Sequence, residues 1–312
     1  LSGLKIVLPG GAGLVGQNLI PRLKARGYKD IVVLDKHTHN LNILQDLHPD
    51  VLCVQADLAS EDEWALHFSE AHAVVMLQAQ IGGLHWEEFI LNNELATGNI
   101  LQAFRQHQVS RLIHISSSVV ESTADDLYTK TKRNQERMVL ESSITCPILR
   151  PTLMFGWFDR KHLGWLSRFM QRVPVFPVPG NGRFMRQPLY VGDFCKIIIS
   201  CLEDDEINGI YNISGHEKID YIDLIREVKL ASGATTLIMK IPYRLFYALL
   251  WTWALFDKNP PFTTEQLVAL TTSDEFEVID WQTIFRVDST PLAAALAETF
   301  THPEYSTIAL EF

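Results

Sequence analysis

Short apolar runs alternate with amphipathic stretches through the first half of the chain. The runs at 4–8, 31–35, 51–55, 73–78, 111–116 and 147–150 are largely aliphatic, the pattern of strands buried on both faces. Between them, apolar residues recur at helical spacing around 14–26, 40–47, 61–69, 86–107 and 127–142. This alternation predicts a parallel sheet with helices on both faces, and right-handed crossovers make it doubly wound. The expected fold is therefore α/β and Rossmann-type, with ligands at the carboxyl ends of the strands.

After Pro151 the pattern changes. Residues 154–187 are rich in Gly and Pro and predict irregular structure around one short helix near 160–172. A strand–helix–strand pattern returns at 188–213, and the remainder is helical apart from a strand at 236–241. These shifts predict a nucleotide-binding domain of residues 1–153 plus 188–215. A smaller, mostly C-terminal substrate domain takes 154–187 plus 216–312. Leu245 to Phe256 is almost wholly apolar, but 12 residues are too few to span a bilayer. It predicts a buried helix of the second domain, with a partner-binding or membrane-surface helix as the alternative.

Composition narrows the class further. A chain of 312 residues with 47% hydrophobic and 21% charged content reads as a soluble globular protein with a large core. A net charge of −10 argues against a nucleic-acid surface. Cys53, Cys146, Cys195 and Cys201 are scattered, without metal-ligand spacing. They fit buried thiols in a reducing, cytoplasmic compartment. No signal peptide is visible, and no metal site is expected.

Two stretches carry chemistry. Gly10, Gly13 and Gly16 lie where the first strand turns into the first helix. Such a turn aims free helix N–H groups at a phosphate: Gly10 makes the turn, Gly13 admits the ligand, and Gly16 lets helix and strand pack closely. Asp35 ends the second strand about 20 residues on, where a carboxylate accepts from ribose hydroxyls and repels a 2′-phosphate. That favours NAD over NADP, a preference Lys36 and His37 temper. The second stretch is Ser116-Ser117-Ser118 after strand 111–115, followed by Tyr128 and Lys132. Four residues apart, Tyr128 and Lys132 share a helix face, and a nearby ammonium lowers a phenol's pKa. Such a tyrosine exchanges a proton with an alcohol or carbonyl while a serine hydroxyl holds the reacting oxygen.

The glycine turn, Asp35, Ser118 and Tyr128-xxx-Lys132 together resemble the short-chain dehydrogenase/reductase superfamily, in its extended, NAD-dependent epimerase/dehydratase branch. Ala56-Asp57-Leu58, Asn93 to Asn99 (with Ala96-Thr97 at the family's Gly-Thr), Leu149-Arg150-Pro151 with Met154-Phe155-Gly156, and Pro188 to Asp193 resemble further segments of that branch. The resemblance implies NAD held by Gly10, Gly13, Leu14, Val15, Gly16, Asp35, Asp57, Leu58 and Lys132. It implies Ser118, Tyr128 and Lys132 as catalytic residues acting on the substrate, and Arg186 on a substrate diphosphate, with Arg183 as runner-up. The implied function is a sugar-nucleotide epimerase working through transient hydride transfer and a keto intermediate, as a homodimer paired through the helices at 86–107 and 127–142. The alternatives are a net reductase or dehydrogenase, and a non-catalytic nucleotide-binding scaffold.

Two departures bear on these readings. Only nine residues separate Ser118 from Tyr128. This short loop, with Pro260 to Leu267, resembles atypical members such as the respiratory complex I accessory subunit of this fold. Val119-Val120 stand where 4,6-dehydratases of the branch carry an Asp-Glu pair, which disfavours elimination of water.

Overall fold

The computed structural model describes residues 1–312 except Ser2, Leu84, 257–263, 272–275 and Phe312, and describes 253–256, 265, 266 and 269 by backbone alone. The first strands are β1 (Lys5–Pro9), β2 (Asp30–Asp35), β3 (Leu52–Gln55), β4 (Ala71–Met76), β5 (Arg111–Ile115) and β6 (Pro147–Pro151). Short strands follow: β7 (Met154–Phe155), β8 (Val175–Pro179), β9 (Met185–Arg186) and β10 (Leu189–Tyr190). After them come β11 (Gly209–Ile213), β12 (Ile219–Asp220) and β13 (Leu237–Ile241). Seven of these form one parallel sheet in the order β11-β6-β5-β4-β1-β2-β3. The order reverses between β1 and β4. Their outgoing connections diverge there, opening a crevice at the carboxyl edge.

The aliphatic runs become central strands because neither face meets water. Ile6, Val7 and Leu8 are all fully buried, yet alternate between two cores. Ile6, Leu8, Val33 and Ile113 point to one face, and Val7, Val32, Leu34 and Leu112 to the other. The first face is covered by α1 (Leu14–Arg26) and, later in the chain, by α7 (Val191–Glu203), which pack against each other. Beside β2 runs α2 (Thr38–Leu47). The second face is covered by the segment predicted as a single helix at 86–107, which has three parts. These are α3 (Trp86–Phe89), a π-helical stretch Ile90–Leu95, and α4 (Ala96–Gln106), with α5 (Leu127–Glu141) alongside. The helical pattern at 61–69 closes into a 3₁₀ turn, Glu63–Phe68.

Residues far apart in sequence build the remainder. β8 pairs in parallel with β13, and β9 antiparallel with β12. Over them, α8 (Tyr221–Ser232) packs on α6 (Leu163–Arg172), and also on α12 (Leu292–Thr301). Between α8 and α12 lie α9 (Tyr243–Phe256), α10 (Thr264–Thr271) and α11 (Trp281–Phe285). The tail returns to the sheet edge, where Tyr305 and Leu310 pack on Trp157 and Phe158. Asn40 and the backbone of Glu311 exchange two hydrogen bonds, 2.7 and 2.9 Å.

One sequence expectation is corrected. The apolar segment forms α9 but is not buried: Leu245, Tyr247, Leu249 and Trp251 are exposed, with Trp251 at 55%. Apolar residues run around the whole helix, so one side faces water even where α10 covers another. The Trp253 side chain and residues 260–263 lie outside the described residues. Among the described residues, no helix is long and apolar enough to cross a membrane.

The tightest constraint is at the start of α1. A Cβ on Gly16 would sit 2.1 Å from the Gly11 carbonyl oxygen, a backbone atom that cannot rotate away. Gly16→Ala is expected to push α1 off β1 and destabilise the fold by about 1–3 kcal/mol. Chemical denaturation checks this; an unchanged midpoint contradicts the packing.

Candidate active site

The crevice at the sheet reversal is an open cleft with a cavity volume of about 170 Å³. Its wall draws in turn on the ends of β1, β2, β3 and β4: Gly10, Gly13, Leu14 and Val15; Asp35; Ala56, Asp57 and Leu58; Gln78 and Gln80. Gly10 adopts φ +76°, and a Cβ there would lie 2.4 Å from the Gln78 backbone. Gly13 differs: a Cβ on it would meet only the Gly10 oxygen at 3.5 Å. The space before Gly13 is thus open in the protein and is where a side chain would intrude on a ligand. No side chain caps α1, so its first-turn amides have no acceptor within the helix. The cradle fits a pyrophosphate.

Asp35 binds the turn together. Its two carboxylate oxygens accept from the amides of Ala12 at 3.1 Å and His37 at 3.0 Å, and it lines the cleft. Each oxygen keeps acceptor capacity for a ribose hydroxyl. Lys36 is turned across the cleft, donating to Asn92 Oδ1 at 2.9 Å. Two asparagines set the far wall. Asn93, buried in the π-helical stretch, accepts from the Gln80 amide at 2.7 Å and donates to its carbonyl at 3.2 Å. Asn99 donates to the Leu58 carbonyl at 3.0 Å, fixing the turn that carries Asp57.

The reactive groups stand beside β4, at the end of β5. There the serine triplet divides by direction. Ser116 donates to the buried Glu136, which also pairs with Arg150. Ser117 accepts from the Val119 amide at 3.4 Å and stands near enough to the Tyr128 phenol to lower its pKa, and Ser118 opens the 3₁₀ turn Ser118–Glu121. The resemblance points to Ser118; of the triplet, Ser117 is the one that acts on the Tyr128 phenol, and Ser118 follows it at the start of the turn.

Lys132 lies one helical turn beyond Tyr128 on α5. Its ammonium points inward, fully buried, donating to the Ile115 carbonyl at 3.0 Å and to Gln135 Oε1. Burial pulls its pKa down to about 7, against the opposing charge of Glu136. Burial raises the Tyr128 phenol, the Ser117 hydroxyl lowers it, and Asp126 raises it further. The Ile115 carbonyl and Gln135 hold the Lys132 nitrogen in the interior. His114, on β5, is fully buried with neither ring nitrogen hydrogen-bonded among the described residues, and burial holds it neutral.

Arg186 does not line the cleft. It lies on β9 with its guanidinium donating to the Met185 carbonyl at 2.9 Å and to that of Leu270, above the Tyr221 ring. Arg183 is exposed and pairs with Asp220 at 2.8 Å. Sequence reasoning passed over Gln78, Gln80 and Gln135. The signal for the first two was present: polar side chains at the end of an apolar strand pattern, where ligands bind.

The buried lysine gives a pH prediction. Between about pH 7 and its unfolded value of 10.5, Lys132 is protonated when unfolded and neutral when folded. The unfolded state then binds more protons, so this group makes stability rise with pH across that window. Lys132→Met is expected to flatten that rise in urea melts; an unchanged slope contradicts it.

The chain is similar to known proteins. The pattern of the NAD dependent epimerase/dehydratase family matches residues 6–214. The chain is 25% identical over 242 residues to the mitochondrial "NADH dehydrogenase [ubiquinone] 1 alpha subcomplex subunit 9" of Arabidopsis thaliana, covering 73% of this chain and 59% of that relative. It is 24% identical over 271 residues to a dTDP-glucose 4,6-dehydratase of Streptomyces niveus, covering 74% and 78%. Its fold matches that of UDP-glucuronic acid 4-epimerase from Bacillus cereus, solved with NAD, at TM-score 0.72 and 21% identity, over 95% of this chain and 97% of that one. On the family pattern, which spans the glycine turn, the carboxyl-edge cleft and the tyrosine beside it, the chain belongs to the NAD-dependent epimerase/dehydratase family.

Proposed function

We propose that the protein is a sugar-nucleotide epimerase that uses NAD as a recycled cofactor. One observation carries the choice of epimerase over dehydratase: beside the Ser117–Tyr128 pair, the nearby acid is already committed. Glu121 holds Arg150 at 2.5 Å and Asn212 at 3.1 Å, and Val119 and Val120 precede it. Elimination of water needs a further free acid and base, whereas epimerisation through a ketone needs one group that takes and returns a proton.

Gly10, Gly13, Leu14, Val15 and Gly16 would hold the pyrophosphate, Asp35 the adenosine ribose, and Asp57 and Leu58 the adenine side. NAD, when bound, supplies a hydride acceptor and donor. Tyr128 takes the proton from a carbinol hydroxyl of the sugar, and Ser117 holds that oxygen in line. Tyr128 then returns the proton to the ketone after the sugar has turned. Residues 154–187 plus 216–312 would hold the sugar nucleotide. UDP sugars are the first substrates to test, since a neighbour of the same fold was solved with UDP-glucose and NAD.

A second reading, a nucleotide-binding scaffold, is favoured by the exposed apolar side of α9 and by the likeness to a respiratory-chain subunit. Turnover separates the two. Epimer formation, followed by chromatography without net NADH absorbance, is expected, and Tyr128→Phe should lower it at least about a hundredfold. Retained turnover in Tyr128→Phe contradicts the mechanism. A stoichiometric absorbance change indicates a net redox enzyme, and cofactor retention without turnover indicates the scaffold. Exposed Trp86, Leu91 and Leu95, beside Leu127 and Leu140 on the adjacent α5, support a homodimer. Light scattering is expected to give twice the chain mass; a monomer contradicts that assembly.

A further inference from the structure

Gln78 lines the dinucleotide cleft at the end of β4 but belongs to none of the groups assigned above. It is 7% exposed, and its Oε1 has no hydrogen-bond partner among the described residues. An unpaired buried acceptor is uncommon and calls for a reason. Its carboxamide is held firmly at the other atom. Gln78 Nε2 donates to Thr97 Oγ1 at 3.2 Å. The Thr97 hydroxyl proton is itself committed to the Asn93 carbonyl at 2.7 Å, so Thr97 can only accept from Gln78. That fixes the amide orientation and leaves the oxygen, not the nitrogen, unpaired.

The same hydroxyl joins Gln78 to the reactive end of the site. Gln135 Nε2 donates to Thr97 Oγ1 at 3.0 Å and to the Gln78 carbonyl at 3.4 Å, while Gln135 Oε1 accepts from Lys132. Sheet order places this network along the cofactor's path. Asp35 and Asp57 follow β2 and β3, the glycine turn follows β1, Gln78 follows β4, and Ser117 follows β5. A dinucleotide with its adenosine at Asp35 and its pyrophosphate at the glycines brings its second ribose toward β4.

We infer that Gln78 is a cofactor-binding residue whose Oε1 accepts a hydrogen bond from a hydroxyl of the second, nicotinamide-side ribose. The inference rests on the assignment of this cleft to NAD. Thr97 holds the acceptor in place, and Gln135 links it to Lys132, so the riboside contact and the buried lysine belong to one hydrogen-bonded unit. In the absence of ligand the oxygen gains nothing from this arrangement; the ribose hydroxyl completes it.

The test measures the affinities of ADP, ADP-ribose and NADH for the wild-type protein, Gln78→Met and Asp35→Ala, by calorimetry and NADH fluorescence. Methionine keeps the length of glutamine and removes the acceptor, and Gln78→Leu serves if the methionine variant does not melt cooperatively. ADP ends at the pyrophosphate, ADP-ribose adds the second ribose, and NADH adds the nicotinamide. Gln78→Met is expected to leave ADP affinity unchanged and to weaken ADP-ribose and NADH about tenfold, the scale of one hydrogen bond. Asp35→Ala is expected to weaken all three. If Asp35→Ala weakens binding and Gln78→Met leaves ADP-ribose and NADH unaffected, the Gln78 contact is wrong and the cofactor assignment stands. Weakening confined to NADH overturns the ribose as donor, and equal weakening of ADP overturns a local contact. If the wild-type protein binds none of the three, the cofactor assignment and the inference fall together.

Discussion

The close approach of α1 to the end of β1 is the constraint on which the site depends. Gly16 permits it, because any side chain there meets the Gly11 carbonyl. The approach puts the start of α1 directly above the crevice between β1 and β4, and leaves its first amides without acceptors. Asp35 then fixes the turn from the neighbouring strand by taking the Ala12 amide. The glycine turn and the second strand's end are in this way coupled through one carboxylate, and the arrangement follows from backbone geometry rather than from exposed charge. That suits a chain with net charge −10, which attracts no anion by its overall field.

On the other side of the crevice the structure relies on buried polar groups. Ser116, Glu136 and Arg150 form one hydrogen-bonded group beneath the strand end; Lys132, Gln135, Thr97 and Gln78 form another. Beside them lie the buried Ser117 and the half-buried Tyr128. Buried polar networks of this kind specify one arrangement strongly, since every misplaced member is left unpaired in a low dielectric. Glu121 shows how they also hold the loop. Drawn to Arg150 and Asn212, it ties the short loop before Tyr128 to β6 and β11.

The fold was legible because the parallel sheet needs strands buried on both faces, and the runs at β1, β2, β4 and β5 show that without ambiguity. The glycine turn and Asp35 were legible for a related reason: backbone conformation and close packing restrict the residue type. What the sequence did not show depends on where side chains point. Ser116, Ser117 and Ser118 look alike in sequence, and only the end of β5 separates their directions. Lys132 lies on the same helix face as Tyr128, yet its nitrogen turns toward Gln135, which no spacing rule anticipates. Arg186 is held by the carbonyl of its neighbour Met185 and by that of Leu270, the second a long-range contact. The helix at 245–256 was visible as a helix, but burial depends on whether another element covers it, and periodicity carries no information on that.

The central claim is that one proton-transfer pair beside a retained dinucleotide inverts a carbinol centre of a sugar nucleotide. The most direct measurement follows deuterium placed on that carbon in a UDP sugar and analyses the product by mass spectrometry. Removal and return of hydride within one bound complex predicts an epimeric product that keeps its deuterium on the same carbon, with none lost to solvent. Loss of deuterium to water, or a product lighter by one water, would contradict the account.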